Sequence, residues 1–216
     1  MTSPSDLINS NKGYYIVYLL FLMVWGGIQL IFSQEDLFLA INNTHTVVSD
    51  IFFYWTTYLG DGITFVLVIL VLLFVKYWQA LLGLIVFILS GLTAQLLKRF
   101  VFNDQMRPFA ELSDKHELYS VPGVEQVLTL SFPSGHTVTA FALTFFVAST
   151  VLSSKTGWWF CILAILVGFS RIYLGQHYMI DVYVGSMIGV FITSIAVLYL
   201  RVPLQDKFAN KSIINK

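Results

Sequence analysis

Three short polar clusters interrupt an otherwise apolar chain of 216 residues. They are Lys98 to Arg107-Pro108, the tetrapeptide Pro133-Ser134-Gly135-His136, and Ser170-Arg171 followed by His177 and Asp181. Together they hold cations, two histidines, a carboxylate and a Ser-Gly turn with backbone N–H groups. That inventory suits gripping a phosphoryl group and moving it onto an imidazole. Phosphoryl transfer depends on positioning and on compensating charge spread over the phosphoryl oxygens. His177 and Asp181 stand four residues apart, so on a helix they share one face. An aspartate there can accept a hydrogen bond from one ring nitrogen and leave the other free to attack. Taken alone, the pair equally fits a solvated histidine beside a capping aspartate. Arg171, near a helix end, suits bidentate phosphate binding. Ser134 is placed to cap the apolar helix that follows, and Gly135 permits close backbone approach to an anion at the positive helix end. Alone, that tetrapeptide reads as ordinary helix capping, and Arg107-Pro108 as an ordinary loop.

The elements that must position these residues belong to a membrane. Hydrophobic residues make up 57% of the chain and charged residues 11%, against about a quarter charged in soluble domains. The surplus sits in long apolar runs, the mark of an integral membrane protein. The formal net charge is zero, which offers no argument for a nucleic-acid partner. The single cysteine, Cys161, excludes an internal disulfide and is expected to be buried packing. No carboxylate cluster has the pattern of a metal site, so neither metal nor cofactor is expected. Residues 14–32 form a run long enough to span and lack a small-residue cleavage pattern, which predicts a retained first helix.

The fold expected is all-α: a polytopic membrane bundle in one domain over residues 1–216. Six spans are predicted at about 14–32, 61–76, 78–98, 137–153, 157–174 and 182–200, each near the roughly 20 residues that a hydrocarbon core requires. Residues 43–58 mix Val47, Val48, Ile51, Phe52 and Trp55 with Asp50 and threonines, which predicts an interfacial helix. Positive charge near helix ends sets orientation. Lys12, Lys76, Lys155, Arg201, Lys207, Lys211 and Lys216 then face the cytoplasm, against Lys98, Arg99, Arg107, Lys115 and Arg171 on the other side. Both termini are therefore expected in the cytoplasm, with Trp78, Trp158 and Trp159 at inner helix ends. Under even alternation Lys98, His136, Arg171, His177 and Asp181 emerge on the same, extracytoplasmic face. His45 and His116 fall in outer loops, His116 as a solvated side chain.

The constellation is more specific than its parts. It resembles the type 2 phosphatidic acid phosphatase superfamily over roughly residues 50–200. The family's third signature, Ser-Arg, five residues, His, three residues, Asp, is matched by Ser170, Arg171, His177 and Asp181. The second, Pro-Ser-Gly-His, is matched by residues 133–136. The first departs from the family form of a lysine, six residues and Arg-Pro. Here eight residues separate Lys98 from Arg107 and seven separate Arg99 from it. A two-residue bulge would still bring Lys98 to a phosphate; Arg99 competes for that place. The resemblance implies in-line displacement with a phosphohistidine on His177, oriented by Asp181. It implies that His136 protonates the leaving oxygen, and that Lys98, Arg107, Arg171, Ser134 and the Gly135 N–H stabilise the phosphoryl oxygens. The expected activity is a metal-independent lipid phosphatase, acting on a lipid phosphate or diphosphate with its tail in the bilayer, as in a bacterial inner membrane. A phosphotransferase of the same fold is the alternative. A transporter is disfavoured, because no charged residue lies near the middle of a predicted span.

Overall fold

α1 (Pro4–Ser10) and α2 (Lys12–Ile31) lead, in this computed structural model, into an all-helical bundle described over residues 3–151, 156–209 and 211–215. Lys155 and Lys216 of the charge argument lie outside the described residues. α3 (Gln34–Asn42) and α4 (Val47–Thr56) follow, then a 3₁₀ turn over Thr57–Gly60 and α5 (Gly62–Val75). α6 (Tyr77–Leu96) runs into a π-helical turn over Leu97–Val101, and α7 (Pro108–Leu112) is a single turn. α8 (Gly135–Thr150), α9 (Gly157–Tyr173) and α10 (Met179–Phe208) complete the chain.

Among the described residues, three helical stretches are long and apolar enough to cross a membrane: Lys12–Ile31, Tyr77–Val101 and Met179–Phe208. The predicted interfacial helix is present as α4, but it does not stand apart. Through the 3₁₀ turn it continues into α5 with a bend of 54°, and the two pass as a fourth span if counted together. The bend is built by Asp61, whose carboxylate accepts from the Ile63 N–H at 2.9 Å and caps α5; capping ends one helix direction and starts another. Helices do form where the fourth and fifth spans were expected, as α8 and α9, but at 16 and 17 residues neither is among the stretches long and apolar enough to cross. α3 was not anticipated: its N-cap Ser33 and acidic first turn, Glu35 and Asp36, were the available signal. The last helix outruns its predicted end because Leu204 and Phe208 still pack against the core.

α8 is the central post of the bundle, packed on α6, α9 and α10. Its side chains from Ala140 to Phe146 are all buried. Tyr14 stacks on Phe145 at 4.8 Å between ring centres, and its hydroxyl meets Thr144 at 3.1 Å. α10 lies against α8 almost backbone to backbone. A Cβ on Gly185 would sit 2.9 Å from the Ser134 carbonyl, and one on Gly189 2.6 Å from that of Val138. Lipid tails are as apolar as leucine, so helix association in a bilayer relies on such close packing of small residues. This contact holds the start of α8 beside the start of α10. Cys161 is buried, as expected. Trp78 stands at the start of α6, the helix end expected, and is buried within the protein with the Arg201 guanidinium 6.0 Å over it.

Candidate active site

His177 occupies the short link between α9 and α10, and that link is held by its own backbone. The His177 and Gln176 amides both donate to the Arg171 carbonyl, at 3.2 and 2.9 Å. Gly175 makes the turn possible. Its φ is +75°, and a Cβ there would fall 2.3 Å from the Phe109 ring, so both conformation and space favour glycine. The His177 side chain is fully buried, and its Nδ1 lies 3.0 Å from Asp181 Oδ2. With the carboxylate as acceptor, Nδ1 carries the proton and Nε2 holds the free lone pair.

Asp181 does two jobs. Oδ2 also accepts from the Tyr178 amide at 3.1 Å, so the residue caps α10 while it orients the imidazole. The Ser131 hydroxyl adds a short hydrogen bond to the same oxygen. Through its own backbone Asp181 accepts from the Ser134 amide at 3.1 Å, which ties the Pro-Ser-Gly-His turn to the His-Asp helix. Burial pushes the His177 pKa well below its ordinary value, and the nearby Arg107, Lys98 and Arg171 push it the same way, with His136 adding to them. A neutral imidazole at neutral pH is the form that can act as a nucleophile.

The cations reach the site from three directions. Lys98 is buried in the π-helical turn, and its Nζ donates to the carbonyls of Leu130 and Ser131 at 2.6 and 3.3 Å. Arg99 is exposed and turned back to Gln95 at 3.3 Å. The long spacer of the first cluster is thus absorbed in part by π-helical winding, a common device at functional sites. Leu130, whose carbonyl receives Lys98, adopts a φ of 56°, a conformation costly for a branched side chain. Arg107 is buried and braced by Thr129 O at 3.0 Å and by the Gln176 carbonyl and side chain at 3.2 and 2.8 Å. Burial pulls its pKa down, and Asp181 partly offsets that. Arg171 donates from Nη1 to Thr57 at 2.7 Å, while its buried Nε has no acceptor among the described residues. A buried guanidinium N–H without an acceptor is costly, and this one is available to a ligand.

Ser134 is fully buried and caps α8, accepting from the Thr137 amide at 3.4 Å and the Thr137 hydroxyl at 2.9 Å. Its own proton is therefore free to be donated. A Cβ on Gly135 would meet nothing within 4 Å, so open space adjoins the first N–H groups of α8, where the helix dipole favours an anion. His136 is half-buried, and among the described residues no carboxylate lies within ion-pair distance of it. A cavity of about 470 Å³ reaches Ser131 and Asp181 from between α3 and α7.

All eight residues singled out in the sequence come to one end of the bundle. The reading missed Ser131, Gln176 and Thr57, which hold Asp181, Arg107 and Arg171. Ser131 and Gln176 lie beside or within a cluster, Thr57 lies far from any, and none has a motif of its own. His116 stays partly exposed, as expected, while also meeting Glu35 at 2.9 Å; His45 lies in the loop before α4, as expected, but its side chain is buried.

Known proteins resemble this chain in sequence and in fold. Undecaprenyl-diphosphatase BcrC of Bacillus subtilis is 34% identical over 113 residues, 52% of each chain. The chain spans about half the length of the curated relatives it matches first. The crystal structure of Aquifex aeolicus LpxE superposes with a TM-score of 0.67 at 30% identity, covering 76% of this chain and 94% of that one. A PAP2 type phosphatidylglycerolphosphate phosphatase from Bacillus subtilis superposes with a TM-score of 0.64 over 87% of this chain and 95% of its own, and at 24% identity shows the shared fold. Residues 76–203 match the family model of the PAP2 superfamily. That interval carries all three polar clusters and the helices that hold them, and the chain belongs to the PAP2 superfamily.

Proposed function

We propose that this protein is an integral membrane lipid phosphatase that works through a phosphohistidine on His177. The observation that carries the reading is a buried imidazole held by Asp181 at 3.0 Å, its basicity depressed by burial first and by the nearby Arg107, Lys98 and Arg171 next. Nε2 of His177 attacks phosphorus in line as the bond to the lipid oxygen breaks. His136 gives that oxygen its proton. Water, deprotonated by His136, then attacks the phosphohistidine and releases inorganic phosphate. Lys98, Arg107, Arg171, Ser134 and the Gly135 N–H compensate charge on the phosphoryl oxygens. These cations do the work a metal ion does in other phosphoryl-transfer sites, so turnover is metal-independent.

The substrate class is a lipid phosphate or diphosphate, of the phosphatidate, phosphatidylglycerophosphate or polyprenyl diphosphate type. Named activities of the relatives support this, and so does a site at the end of an apolar bundle. In this reading all six expected helices span, α4 and α5 together forming one of them. Both termini are cytoplasmic, and the site faces away from the cytoplasm of a bacterial inner membrane. The test is phosphate release by purified protein across a panel of lipid mono- and diphosphates, with and without EDTA. Release that survives chelation and is inhibited by vanadate supports the mechanism. Loss on chelation with restoration by Mg²⁺ refutes it, and transfer to an alcohol without free phosphate would make the protein a phosphotransferase.

A further inference from the structure

A second buried histidine–aspartate pair lies outside the catalytic cluster. The His45 ring is held between Tyr119 and Tyr173, with centroids at 4.3 and 4.1 Å. Its Nδ1 lies 2.8 Å from Asp50 Oδ1, and its Nε2 is buried without a partner. The buried Asp50 also accepts from the Tyr119 hydroxyl at 2.8 Å and from the Tyr173 hydroxyl at 2.6 Å. A buried carboxylate is retained only where donors satisfy it, and here they come from three separate segments of the chain.

The direction of this network matters. Asp50, Phe53 and Thr57 follow a three-then-four spacing and share one face of α4 and its 3₁₀ extension. Each meets the end of α9. Asp50 takes the Tyr173 hydroxyl, Phe53 packs on Phe169 and Tyr173 at 5.2 and 4.5 Å, and Thr57 receives Arg171. At Gly60 the fit leaves no room for a side chain, since a Cβ would stand 2.6 Å from Val167. The seating of α4 on α9 therefore sets where Thr57 stands, and Thr57 sets where the Arg171 guanidinium points.

We infer that Asp50 is a positioning residue for Arg171, acting through the Tyr173 contact that seats α4 and Thr57 on the end of α9. The inference rests on the reading of Arg171 as a phosphoryl ligand. Asp50 itself touches no reacting atom.

The test is a double-mutant cycle on the full chain in detergent. Asp50→Asn should lower kcat/KM for a lipid phosphate roughly tenfold, the scale of a contact coupling, mainly through KM. In an Arg171→Lys background the same change should cost less than about twofold. A role confined to stability would give equal factors in both backgrounds, and that result would overturn the inference. A second readout needs no turnover. The chain has four arginines, so ¹⁵N-arginine labelling gives few Nε–H resonances, and Arg171→Lys assigns its own. Asp50→Asn, or Tyr173→Phe if the first variant folds poorly, should shift the Arg171 resonance and leave that of Arg201 in place. An unmoved Arg171 resonance would refute the inference. If the wild type turned over no lipid phosphate, the phosphatase reading would fall while this spectrum still decided the positioning role.

Discussion

His177 and His136 have unequal environments, and their variants should behave unequally. His177→Ala removes the proposed nucleophile and should abolish phosphoenzyme formation for every substrate. His136→Ala removes the proposed proton donor, an effect of about 10²–10⁴-fold that scales with the leaving group's need for the proton. A lipid alkoxide needs it far more than p-nitrophenolate. Rapid-quench measurement of phosphoenzyme formation should therefore show a much larger loss for a lipid monoester than for p-nitrophenyl phosphate; equal losses in both variants would remove the division of labour. His177 also sets a pH dependence. Burial and the facing Arg107, Lys98, Arg171 and His136 depress its folded pKa, with Asp181 on its other nitrogen. The unfolded chain takes a proton near pH 6.5 that the folded chain does not, so stability is lost as pH falls below that value. Wild-type stability should then decline with acidification more steeply than that of His177→Asn, by about 1.4 kcal/mol per pH unit at most. Denaturant melts in detergent between pH 7 and pH 5 would measure it, and parallel slopes would refute it.

At the scale of elements, the contact between α8 and α10 decides whether the two histidine-bearing helix starts meet. Gly189→Ala would force a Cβ to 2.6 Å from the Val138 carbonyl, and backbone cannot yield as a flexible side chain does. Overpacking of this kind costs about 1–3 kcal/mol, and the shift should also reduce turnover by moving Ser134 away from Asp181. Gly27→Ala is the control. Nothing lies within 4 Å of its Cβ position, and alanine inside a helix is favoured over glycine by roughly 0.5–1 kcal/mol. Thermal unfolding should rank Gly27→Ala at or above wild type and Gly189→Ala clearly below. The reverse order would show that α10 can slide on α8 without consequence.

At the scale of the whole molecule the open matter is which way the bundle stands in the bilayer. Ser113, just beyond α7 on the catalytic side, and Lys207, at the far end of α10, are both exposed. The one native thiol, Cys161, is buried and free. In a Cys161→Ser background, single cysteines at positions 113 and 207 should label oppositely with an impermeant thiol reagent on intact cells. Labelling at 113 and protection at 207 would place the site outside; labelling at 207 alone would invert the molecule.

Much of this was legible in the chain because a bilayer imposes simple rules. Helical segments were visible as apolar runs, since spanning backbone must satisfy itself. The His177–Asp181 pair was visible in its spacing, although His177 stands in the link just before α10 and Asp181 in its first turn, so the two meet without sharing a helix face. Close packing settled what spacing left open. Lys98 and Arg99 are adjacent and chemically alike in sequence, and the π-helical turn at Leu97–Val101 turns the lysine inward and leaves the arginine exposed. The bend that joins α4 to α5, the bracing of Arg107 by Gln176 and the burial of His45 each depend on partners tens of residues away. Local chemistry is written in neighbouring residues. Which polar side chain is buried, and which donor is left without an acceptor, is decided only when distant helices close around it.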